Sequence, residues 1–170
     1  MKRIFSFVLL LAAVFMTACS ADVSKVAVLD EYSLCFGMSP AEVRSKLGDP
    51  VGSDTSMLVA NRSSYMYHTN LLEHSATIQC EFTDDQALAR VYIQWSLDSC
   101  DQAYRIIEKA EQMIQDSYQN HKNYFKKSKD WQGYEYCVST GIDYGATGFF
   151  YEIMKVNDEN TVCINCIAHF

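Results

Sequence analysis

Between residues 76 and 82 the apolar positions Ala76, Ile78, Cys80 and Phe82 alternate with Thr77, Gln79 and Glu81. A period of two turns one face of a strand toward a core and the other toward water. Tyr65 and Tyr67 alternate with Met66 and His68 in the same way. After the turn Thr83-Asp84-Asp85-Gln86, the residues Ala89, Val91, Ile93, Trp95 and Leu97 point one way while Arg90, Tyr92, Gln94 and Ser96 point the other. Three strands in a meander are predicted. From Asp98 or Ser99, either able to cap a helix, the period lengthens. Ala103, Ile106, Ile107, Ala110, Met113, Ile114 and Ser117 form one stripe, with Arg105, Glu108, Lys109, Glu111, Gln112 and Gln115 on the solvated side. The polar, basic stretch from Tyr118 to Asp130, with Lys122, Lys126, Lys127 and Lys129, reads as a frayed helix end and loop. Strand candidates follow at 133–140, 148–155 and 161–169, separated by turns.

The densest local signal runs from Phe36 to Pro50. Ser39 caps a helix, Pro40 suits its first position, and Glu42 reaches back to the cap's own amide as a capping box. Met38 and Val43 fall where a hydrophobic staple packs, and Val43 and Leu47 share one face at four-residue spacing. Gly48 can take the left-handed closing conformation, and Pro50 prevents continuation. The whole predicts an α+β fold. A short helix and a three-stranded antiparallel meander occupy 30–97, and a long amphipathic helix and a second three-stranded meander occupy 98–170, with one continuous sheet open to both. The repeat is one of pattern only, without residue-by-residue identity between the halves.

The first residues have a different character. Lys2 and Arg3 precede an almost unbroken apolar run from Ile4 to Met16, interrupted by Ser6, and Met16-Thr17-Ala18-Cys19 closes it. This is the layout of a signal peptide. The run is too short for the roughly 20 apolar residues that a spanning helix needs. Small residues before Cys19 admit a peptidase, and the thiol offers a site for a diacylglycerol. The close resembles the lipobox of bacterial lipoproteins, with Met16 in place of the usual Leu. Residues 1–18 are therefore expected to be removed, Cys19 to be acylated, and 19–29 to form a tether whose polar part runs from Ser20 to about Lys25. Acyl chains hold such a protein stably, since each buried methylene contributes about 0.8 kcal/mol. By resemblance to known sorting, Ser20 after the acylated cysteine favours the outer membrane in a cell that has one.

A composition of 49% hydrophobic and 13% aromatic residues with two prolines is that of a folded globule, about 150 residues long after cleavage, the size of one domain. The formal charge of −7 becomes about −9 once Lys2 and Arg3 leave, which disfavours nucleic acid and anionic headgroups as partners. Six cysteines remain after Cys19: Cys35, Cys80, Cys100, Cys137, Cys163 and Cys166. In an exported chain an even number reads as disulfides, here at least two, with the pairing unspecified. Buried free thiols, which behave as small hydrophobes, are the alternative.

Gly37, Met38 and Ser39, the helix with Glu42, Val43 and Leu47, then Gly48 and Pro50 before a meander, resemble the motif of the BamE (SmpA/OmlA) family of outer-membrane lipoproteins. The same layout recurs in β-lactamase inhibitor proteins. The likeness covers roughly Cys35 to Leu97. It implies a small α+β scaffold that binds other proteins and catalyses nothing. In BamE the scaffold stabilises the machine that inserts outer-membrane barrels. In the inhibitors two such units in tandem form a concave sheet that docks onto an enzyme. The second half and the six cysteines depart from BamE itself.

Candidate chemistry is sparse. Cys163-Ile164-Asn165-Cys166 has redox spacing, but it falls in a strand candidate where residues three apart face opposite sides, away from the helix end that lowers a thiol pKa. His169 sits too far from Cys166 for haem attachment, and zinc on Cys163, Cys166 and His169 would need a turn and a fourth ligand. His68, His74, His121 and His169 form no ligand pair. Asp84-Asp85, Glu108 with Glu111, and Asp158-Glu159 read as solvated turns and helix faces. Tyr65, Tyr67, Tyr92, Tyr134, Tyr136, Phe149, Phe150 and Tyr151 are spread over both strand faces, and those facing outward suit a surface that binds protein. The expectation is a non-enzymatic, lipid-anchored envelope scaffold without cofactor, metal or small-molecule substrate, whose partner is another envelope protein. An inhibitor of a secreted or periplasmic enzyme is the alternative, and a small thiol oxidoreductase using Cys163 and Cys166 comes third.

Overall fold

The computed structural model describes residues 24–55, 63–118, 123–131, 134–144, 147–156 and 159–169; for 54, 55, 123–131, 134–144, 147, 148 and 169 it describes the backbone. Cys19 lies outside these. The protein is α+β, with eight antiparallel strands in one sheet of order β1-β2-β3-β4-β8-β7-β6-β5. In chain order come a 3-10 helix (Ala27–Tyr32), α1 (Pro40–Leu47), β1 (Gly52–Thr55), β2 (Ser63–Leu71), β3 (His74–Phe82), β4 (Leu88–Ser96), α2 (Cys100–Ser117), β5 (Asn123–Trp131), β6 (Tyr134–Tyr144), β7 (Thr147–Val156) and β8 (Thr161–His169).

The capping box forms as the residues dictate. The Ser39 amide donates to Glu42 Oε2 at 2.8 Å, and the Glu42 amide donates to Ser39 Oγ at 3.4 Å. Val43 is fully buried, with Met38 and Leu47 packed at its margin. Gly48 ends the helix at φ +86° and ψ −164°, a region that only glycine enters without steric cost. Ser99 caps α2 by accepting from the Gln102 amide, and on the predicted stripe Ala103, Ile106, Ile107, Ala110 and Ile114 are buried and Met113 half-buried. Ser117, placed on that stripe by spacing, is exposed instead, and Tyr118 takes the buried place.

Three expectations are corrected. The tether drawn to residue 29 ends sooner, because Val26, Ala27, Val28 and Leu29 are an apolar run and are buried, while Lys25 bridges Cys35 and the Phe36 amide donates to the Ser24 carbonyl at 2.7 Å. The folded part therefore includes Ser24. Each meander has a fourth strand. β1 forms from Gly52–Thr55, a segment without periodic signal that pairs with β2. β5 occupies the lysine-rich stretch read as a loop. Lysines suit it there, since β5 is an edge of the sheet and charge blunts an edge against unwanted pairing.

The two halves meet where β4 and β8 pair, with Ile93 opposite Ile164. Ile93 also faces Ile78 across β3, Ile164 faces Ile153 across β7, and Tyr67 faces Ile78 from β2. These five buried side chains form one row across the sheet. With Val43, Phe36, the 3-10 helix and the stripe of α2 they make a single core. Phe36 stacks on Phe149 at 5.2 Å, and Phe149 lies 6.4 Å from Tyr118 at the end of α2. Both helices, and the N-terminal segment with them, lie on this face.

Candidate functional site

The opposite face of the sheet carries the other register set. One row runs from Met66 through Gln79, Tyr92 and Asn165 to Glu152, each directly across from the next. A neighbouring row runs through Ser64, Glu81, Arg90, Ile167 and Phe150, and another through His68, Thr77, Gln94, Cys163 and Met154. Among the described residues no helix contributes to this face. It is wet toward β2, where Met66, His68 and Asn70 are exposed, and drier toward β7, where Cys163 and Met154 are buried in a small cluster with Tyr92.

The side chains here are ordered by one another. Tyr92 donates to Cys163 Sγ at 2.8 Å, Asn165 Nδ2 donates to Glu152 Oε2 at 3.2 Å, and Gln79 Nε2 donates to Ser64 Oγ at 3.1 Å. Arg90 lies opposite Glu81 with Nη1 3.7 Å from Oε2. Glu81, read from its alternation as a solvated position, is only 1% exposed. A carboxylate so far from water is held at lower cost beside a cation. Nothing in a single sequence marks that burial, because Glu81 occupies a regular polar position of its strand. At the far end of the face Ser75, Ala76, Thr77, Gln94 and Ser96 line a polar depression of about 190 Å³. His68 Nδ1 and Thr77 Oγ1 are 3.2 Å apart beside it. A hydrogen-bonding surface of this kind, with Tyr92 near its centre, suits recognition of another chain.

Among the described cysteines Cys80, Cys100, Cys163 and Cys166 are free thiols, and Cys35 Sγ donates to the Ser33 carbonyl at 4.0 Å, so no two of these five are joined to each other. Topology supplies the reason. Cys80 and Cys166 both lie opposite Val91, one on each side of β4. Two strand spacings put their Cα atoms roughly 10 Å apart, whereas a disulfide needs less than about 7 Å. Cys137, described through its backbone, is likewise separated from Cys163 by Met154 of β7. Cys35 sits near the start of β4 and Cys100 beyond its end. Burial pushes the Cys80 thiol up to about 12, and burial with the neighbouring Cys80 pushes Cys166 up as well. Cys163 is also raised, chiefly by burial, with the Tyr92 hydroxyl opposing.

Cys163 and Cys166 therefore lie on opposite faces of β8, neither held as a thiolate, an arrangement unlike a dithiol redox centre. Among the described residues no group of His, Cys, Asp and Glu is placed to hold a metal ion, and no helix is long and apolar enough to cross a membrane. Of the aromatics, Tyr67, Phe149 and Tyr151 are buried in the core and Tyr65 at its margin, while Tyr92 and Phe150 occupy the other face. The side chains of Tyr134, Tyr136 and His169, and residue His121, lie outside the described set. No protein-family model, curated protein or solved structure matches the chain.

Proposed function

We propose that this protein is a non-enzymatic, lipid-anchored scaffold of the cell envelope that binds another protein through the face of its sheet that carries no helix among the described residues. The observation that carries the reading is the one-sided architecture. Along the other face Gln79, Tyr92, Asn165 and Glu152, all half-buried, form one row of hydrogen-bonding side chains that runs out to the exposed Met66 of β2, while both helices lie on the core side. Anchoring through Cys19 rests on the signal-like start, the small residues before that cysteine and Ser20 after it. It places the protein outside the cytoplasm, on the outer membrane of a cell that has one.

The test places a photoreactive residue at Met66 or His68 on the open face, and at Glu108 on the solvated side of α2, in the full chain in its own envelope. Reproducible cross-links to one envelope protein from the first two positions and not from Glu108 support the reading. Equal yields from all three, or none, overturn it. Metabolic labelling with a fatty acid, lost in Cys19→Ser, tests the anchor separately.

A second reading has its own support. Each half contributes a helix and four strands, and the halves join antiparallel at Ile93 and Ile164. That layout favours tandem units like those of β-lactamase inhibitor proteins, and with them BamE-like ancestry of each unit. On this reading the face docks onto a secreted or periplasmic enzyme. Inhibition of at least one member of a panel of envelope hydrolases by the full chain is the expected outcome, and uniform inactivity removes it.

A further inference from the structure

We infer that the cleft between α1 and β2 is a second binding site, one that takes the C-terminal end of an extended polypeptide with an apolar last side chain. The cleft encloses about 240 Å³ and is lined by Pro40, Ala41, Arg44, Pro50, Tyr65 and Tyr67. It stands apart from the open face of the sheet and does not depend on what binds there.

Three features select the occupant. The lining is two tyrosine rings, two prolines and an alanine, which favours an apolar side chain of roughly phenylalanine size. Arg44 at the mouth is 64% exposed and is gripped from one side by Asp49, whose Oδ1 accepts from Arg44 Nε at 2.6 Å and also meets Nη2. That grip fixes the plane of the guanidinium and leaves the Nη1 donors for a ligand carboxylate. Its charge also reaches the Tyr67 hydroxyl, opposing the rise to about 12 that burial, Cys80 and Tyr65 impose.

The third feature is the adjacent edge. β1 is the outermost strand on this side, Ser53 lies opposite Tyr65, and Val51 beside it is 59% exposed. An extended segment pairing with β1 brings its backbone alongside the cleft mouth. Strand addition supplies affinity through main-chain bonds, and the cleft supplies selectivity through one side chain and one terminus.

The probes are fluorescein-labelled Gly-Thr-Val-Thr-Phe with a free carboxylate, the same peptide amidated, and the same peptide ending in Ala. Binding to the full chain in detergent is followed by anisotropy. The free acid ending in Phe is expected to bind, with the amide and the Ala peptide each about tenfold weaker. Ala41→Trp fills the cleft and removes binding, and Arg44→Gln erases the difference between acid and amide. Equal affinity for acid and amide on the unaltered chain overturns the inference without any variant. So does wild-type affinity in Ala41→Trp, or no binding of the free acid below about 1 mM.

Discussion

The hydroxyls of Tyr118 and Tyr151 lie 2.6 Å apart inside the protein, and they close a chain of hydrogen bonds that ties the N-terminal segment to the second half. The Ala27 amide donates to Tyr151 Oη at 3.4 Å, Tyr151 can donate to Tyr118, and Tyr118 donates to the Lys25 carbonyl at 2.6 Å. The direct path from Tyr151 to Lys25, at 3.3 Å, is the longer one. Buried hydroxyls linked in series polarise one another, so removing one weakens the next.

Tyr118→Phe and Tyr151→Phe are each expected to cost about 1–2 kcal/mol, read from urea unfolding. Because the two share one chain, the double substitution should cost less than the sum by at least about 0.5 kcal/mol. Strict additivity would show that the hydroxyls act independently.

The capping box makes α1 sensitive to acid. The Ser39 amide and hydroxyl both donate to Glu42, and they hold its carboxyl below the ordinary value of 4.5. A depressed native pKa means that stability is present above 4.5 and is lost as pH falls through the lower native value. Ser39→Ala should cost about 1 kcal/mol near neutral pH and distinctly less once Glu42 is protonated in both chains. A penalty that stays constant into strong acid would contradict the box.

Ile93 and Ile164 face each other at the seam between the halves, and both are fully buried. Truncating either to Ala should cost about 2–5 kcal/mol by losing transfer energy and opening a cavity. Unfolding of the unaltered chain, followed by fluorescence and circular dichroism together, should be one transition, since the core spans the seam. Two separated transitions would mean that the halves fold as independent units.

Thiol reactivity should follow exposure. Cys100 is exposed, while Cys80 and Cys166 are wholly buried with raised pKa values. Brief maleimide treatment of the native protein, read by mass spectrometry, should label Cys100 and leave Cys80 and Cys166 untouched until denaturant is added. Labelling of Cys166 at the rate of Cys100 would contradict its place in the core. A reductant should leave the melting temperature unchanged.

Periodicity reached the strands whose two faces differ in polarity. β3, β4 and β8 alternate and lie where the pattern put them, and α2 shows its stripe. Ser39, Glu42, Gly48 and Pro50 marked α1 because capping is local chemistry. β1 and β5 escaped because an edge strand need bury little, so Gly52-Ser53-Asp54 and the lysines of β5 carry polar residues without a period. Val26 to Leu29 was missed for the opposite reason. Four apolar residues in a row are too few to show a period, and only the core around Phe36 and Tyr118 shows why they are buried. The open face was legible as a set of outward positions, but its burial gradient was not. Glu81 and Cys163 occupy regular outward positions of their own strands, and the side chains they meet there, Arg90 and Tyr92, belong to another strand.

The pinning of Ser24 to Phe36 has a consequence for reach. If Cys19 carries the lipid proposed above, only five residue steps separate the membrane from a fixed point of the fold, a leash of at most roughly 17 Å. A domain so closely held samples a thin layer of space and meets membrane partners at high effective concentration. Weak contacts at the sheet face or at the α1 cleft can then be occupied continuously, with the short leash supplying what each contact lacks in strength.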